Sequence, residues 1–225
     1  MIKEALRAPL AGERRWKRLA IGGGWLAVSF GIVPLWVVLG YVVQFAEAVA
    51  EDRSDVPPSF EYWGLLMSRG VRAFGISVVY LFVPAAFAIY GAFLYFIAPF
   101  NESFTTARAH EPLAIAAVLF AIAFYLLPAA LLTYAIDGRT RAGFSPRQLV
   151  RFWVSWTYLR SWLLSVSLVV ALHLCAIAVA LTAIGVLAVP VVIFYSYLVG
   201  MYVLTTGTSS LLADIDTRTR PGRRT

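Results

Sequence analysis

The chain is laid out as long apolar runs, and several are led by a shorter stretch in which apolar and polar positions alternate at helical spacing. The clearest leader is Ser145 to Trp162, SPRQLVRFWVSWTYLRSW. Leu149, Phe152, Trp153, Trp156 and Leu159 fall on one side of a helix, and Arg147, Gln148, Arg151 and Ser155 on the other. Ser145 followed by Pro146 predicts where it starts, because a serine oxygen can cap free N–H groups and proline is preorganised for the first turn. Tryptophan beside arginine suits the headgroup layer, so residues 145–160 read as an interfacial helix. A soluble amphipathic helix would show the same stripe, but apolar flanks of membrane length oppose that reading. Two further leaders have the same character. In one, Ile2, Leu6 and Leu10 oppose Lys3, Glu4 and Arg7; in the other, at about residues 59–70, Phe60, Trp63, Leu66 and Met67 oppose Glu61, Ser68, Arg69 and Arg72.

The apolar runs are Leu19 to Val49, Ala73 to Ala98, Leu113 to Ile136, Leu163 to Thr182 and Gly185 to Thr206. A helix of roughly 20 residues crosses the hydrocarbon layer, so the last four read as spans. The first is interrupted at Gly31 and Pro34. It either crosses once or folds back on itself, and the cations bear on the choice, because lysine and arginine collect on the cytoplasmic side. A single crossing sets the N-terminal cluster and the Ser145 helix on opposite faces. A fold-back puts Lys3, Arg7, Arg14, Arg15, Lys17 and Arg18 on one face with every arginine outside that cluster except Arg108. We read the run as a hairpin, although each arm is at or below the roughly 17 residues a span needs. Five single spans are the competing arrangement. The fold class expected is all-α: a polytopic helical membrane protein with five to six transmembrane helices arranged as hairpins, each preceded by an interfacial amphipathic helix. One membrane domain then fills residues 1–225. It has a basic N-terminal segment at 1–18, membrane helices over 19–206 and a basic tail at 207–225.

Composition narrows the reading. With 60% hydrophobic and 14% charged residues, the chain leaves no room for a separate soluble domain. The net charge of +7 comes almost wholly from arginine in short polar segments, which favours an anionic membrane face over nucleic acid. The basic start is not read as a cleaved signal, because the apolar run behind it exceeds the roughly 7 to 15 residues of a signal core. Cys175 is the only cysteine, so no intramolecular disulfide can form.

Ionisable groups inside a bilayer are costly, which makes them the first candidates for chemistry. His173 lies near the middle of its run, and Tyr41, Gln44 and Glu47 follow one another at helical spacing. These four form the candidate intramembrane polar site; a hydrogen-bonded packing histidine and a solvated Glu47 are the bland readings. Arg14, Arg15, Lys17, Arg18, Arg147, Arg151, Trp153, Trp156 and Arg160 are the residues expected at lipid headgroups. No catalytic, metal or cofactor motif is found, and no cofactor is expected. A weaker pattern pairs a proline with a tyrosine six or seven residues later, at Pro34 and Tyr41, Pro84 and Tyr90, Pro128 and Tyr134, and Pro190 and Tyr197.

At IKEALRAPLAGERRWKRLAIGG, GIVPLWVVLGYVV, DVPPSFEYWG and FSPRQLVRFW, the chain resembles an archaeal, largely haloarchaeal, family of multi-pass membrane proteins classed as a domain of unknown function. The resemblance covers nearly the whole chain. It implies a multi-pass fold and brings no activity or site residues. The function expected is that of a non-enzymatic protein of the cell membrane with both termini cytoplasmic. Its basic face would organise anionic lipids, partner proteins or a homo-oligomer. The alternative is a small transporter or permease subunit with a polar site between kinked helices.

Overall fold

The computed structural model describes residues 2–12, 14–28, 32–53, 57–97, 106–182 and 185–213. Among these the chain is helical and has no strand. Its elements are α1 (Ile2–Arg7) with a 3-10 turn at Ala8–Leu10, α2 (Arg15–Ala27), α3 (Ile32–Ala50), α4 (Trp63–Ile97) and α5 (Thr106–Asp137). A 3-10 turn at Thr140–Phe144 then leads to α6 (Pro146–Trp153), α7 (Trp156–Ala180) and α8 (Gly185–Gly207). Five helices are long and apolar enough to cross a membrane, over Val33–Ala50, Trp63–Ile97, Arg108–Asp137, Trp156–Ala180 and Gly185–Gly207. The protein is thus an all-α polytopic membrane protein. The 13 residues of α2 rise only about 20 Å, short of the hydrocarbon thickness.

The expected break in the first apolar run is present, since α2 ends at Ala27 and α3 starts at Ile32. Gly31 and the basic tail beyond residue 213 lie outside the described residues. Two other boundaries differ from the sequence reading. The leader expected at about 59–70 is not a separate helix, because the chain enters α4 at Trp63 and continues unbroken to Ile97. No proline stands between the amphipathic turns and the apolar ones, and isolated glycines such as Gly70 are tolerated within a helix. Conversely, the stretch Ser145 to Trp162 is divided: α6 stops at Trp153, Ser155 takes an extended backbone, and α7 starts at Trp156. Ser145 does sit at the N-cap of α6, but its side chain makes no capping bond; its carbonyl accepts from the Gln148 and Leu149 amides.

Helix α3 is apolar apart from Gln44 and Glu47, close to the pattern of an enclosed helix. It is the inner helix, with 56% of its span buried against 11% for α7. One side of α3, carrying Val37, Val38, Tyr41, Phe45 and Val49, packs with α1, α2 and Phe194, Leu198 and Val203 of α8. The other side presents Val43 and Ala46 to α4, α5, α6 and the later part of α8. Against α4 the backbones touch: a Cβ on Gly40 would strike the Leu66 carbonyl, and one on Gly70 the Trp36 carbonyl. Glycine at both positions removes the side chains that would hold the helices apart.

Neighbouring helices run antiparallel. Gly91 meets Leu113 near the far end of the α4/α5 pair, and the Tyr134 hydroxyl donates to the Arg69 carbonyl at the near end, 3.3 Å. In the α7/α8 pair Gly207 abuts Ser161, and the Ser165 hydroxyl donates to the Gly200 carbonyl at 2.9 Å. The ends of α3, α5 and α8 and the start of α4 therefore lie toward one end of the molecule, and α6 reaches back from there along α5 to Tyr125, beside which α7 begins.

Candidate functional site

That shared end carries the basic surface. Helix α6 buries Leu149 and Phe152 and leaves Arg147 and Arg151 exposed. It is tied down by aromatic hydroxyls: Tyr158 donates to the Tyr125 carbonyl at 2.6 Å, and Tyr125 donates to the Trp153 carbonyl at 2.8 Å. The second bond satisfies a backbone acceptor at the end of α6, where α-helical partners run out. Arg72, Arg139, Arg141 and Arg160 are exposed around this end as well. Arg14 joins it through an ion pair with Glu61, so the N-terminal cluster lies beside the loop leading into α4.

Most of the residues expected at headgroups are exposed. Arg14, Arg15, Lys17, Arg147, Arg151 and Arg160 are exposed, as is Trp156 at 73%. Two turn inward. Arg18 lies on the inner side of α2, half-buried, and donates to the Ala11 carbonyl. Trp153 is half-buried against the core because it falls one turn after Leu149 on the same stripe.

The candidate intramembrane site does not form a single centre. Tyr41 is fully packed, stacked on Phe60 at 4.4 Å and tilted against Phe194 at 5.5 Å, with its hydroxyl donating to the Pro58 carbonyl at 3.1 Å. Gln44 is half-buried on the α4-facing stripe of α3, and its Nε2 has no partner. Glu47 pairs with Arg69 of α4, and both side chains are largely covered. His173 sits apart on α7, its Nδ1 2.8 Å from the Val169 carbonyl and 3.3 Å from the Ser196 hydroxyl. Among the described residues no hydrogen bond or ion pair links His173 to Tyr41, Gln44 or Glu47, and no group of three or more metal-ligating side chains is present.

Arg69 is the residue the sequence reading missed in this site. An arginine placed two turns into a long apolar helix is the signal that would have found it, because such a cation needs a partner. The proline–tyrosine spacing has no common role. Tyr41 and Tyr134 donate to carbonyls of other segments, whereas Tyr90 and Tyr197 are exposed at 55% and 43%.

No curated protein and no solved structure matches the chain. A family model does match, over residues 24–181, well over half of the chain. Its description is that of a protein of unknown function, and the matched segment runs from within α2 to just past the end of α7. The chain belongs to this family, DUF4013.

Proposed function

We propose that the protein is a non-enzymatic component of the cell membrane whose arginine-rich face is cytoplasmic and gathers anionic lipids, and partner proteins with them. The observation that carries this reading is the placement of the cations. Arg72, Arg139, Arg141, Arg147, Arg151 and Arg160 come from separate stretches of sequence, and antiparallel packing brings them to one end with the N-terminal cluster. Juxtamembrane arginines attract anionic headgroups by about 1 kcal/mol each near the surface. The amphipathic α6 lies where such headgroups would be met. Cytoplasmic placement of both termini follows from the same excess of cations. The use of arginine in place of lysine, with Lys3 and Lys17 as the only lysines, supports an archaeal, largely haloarchaeal, source. The test is to purify the protein in mild detergent and identify the lipids that stay bound. Anionic lipids enriched over their share of the membrane are expected, and retention in proportion to the bulk membrane would reject the proposal.

A further inference from the structure

We draw no further inference here: the strongest candidate, the acceptor sequence for an asparagine-linked glycan at Asn101, Glu102 and Ser103 in the segment joining α4 to α5, lies outside the described residues, so nothing in the structure makes it a site.

Discussion

Arg14, at the head of α2, forms an ion pair with Glu61, just before α4, at 2.9 Å. Both side chains are largely exposed, and an exposed pair contributes about 0–1 kcal/mol. Its importance is topological. It places the basic N-terminus at the end of the molecule where α4 begins, which a single crossing by residues 19–49 would not do. Single cysteines at Ser59 and at Ser145, in a Cys175→Ser background, should both be shielded from an impermeant thiol reagent in intact cells and both react once the membrane is opened. Labelling of only one in intact cells would mean that the first run crosses once.

The contact of Gly40 with Leu66 and of Gly70 with Trp36 should tolerate no side chain, because each Cβ meets backbone that cannot rotate away. Gly70→Ala is expected to destabilise the protein by about 3 kcal/mol, measured by thermal or denaturant unfolding in detergent. Gly75, on the same helix with open space around it, is the control. Alanine there should be neutral or stabilising by up to about 1 kcal/mol.

Glu47 and Arg69 retain only 19% and 25% of their side-chain exposure, so removing one partner strands the other charge. Arg69→Leu should cost about 2 kcal/mol, and adding Glu47→Gln should return most of that loss. If the double variant is no more stable than Arg69→Leu, the pair does not couple α3 to α4.

Tyr125 holds α6 by its bond to the Trp153 carbonyl. Tyr125→Phe should leave the spans intact, at a cost of about 1 kcal/mol, while a cysteine at Gln148 reacts faster with a soluble thiol reagent. Unchanged reactivity would mean that burial of Leu149 and Phe152 alone seats the helix.

Arg147→Glu with Arg151→Glu reverses two charges on the exposed side of α6 without touching its buried side. The anionic lipid that co-purifies should fall severalfold, and the wild-type level should fall as salt is raised. Equal retention by variant and wild type would remove α6 from the lipid-gathering surface.

Much of the membrane architecture could be read from the chain alone, because crossing hydrocarbon is a property of consecutive residues. A run that is long and apolar enough must be helical to satisfy its own backbone, and α4, α5, α7 and α8 were legible for that reason. The break before α3 was legible from Gly31 and Pro34, and the polar stripe of α6 from its arginines. Joining α6 to α7 failed because Ser155 carries no strong breaking signal. Splitting the start of α4 failed because amphipathic pattern changes there without a change of structure.

What only the tertiary structure decided is which segments meet. Spacing alone put Tyr41, Gln44 and Glu47 on adjoining positions of one helix, but it could not tell that Tyr41 is enclosed by Phe60 and Phe194 while Glu47 answers Arg69. Nor could it tell that Arg18 and Trp153 turn inward while their neighbours face out. Hydropathy records how apolar each stretch is and says nothing of its neighbours. Partner choice rests on shape and on satisfying buried polar groups between residues far apart in the chain, as where Gly40 meets Leu66 and Tyr134 reaches Arg69.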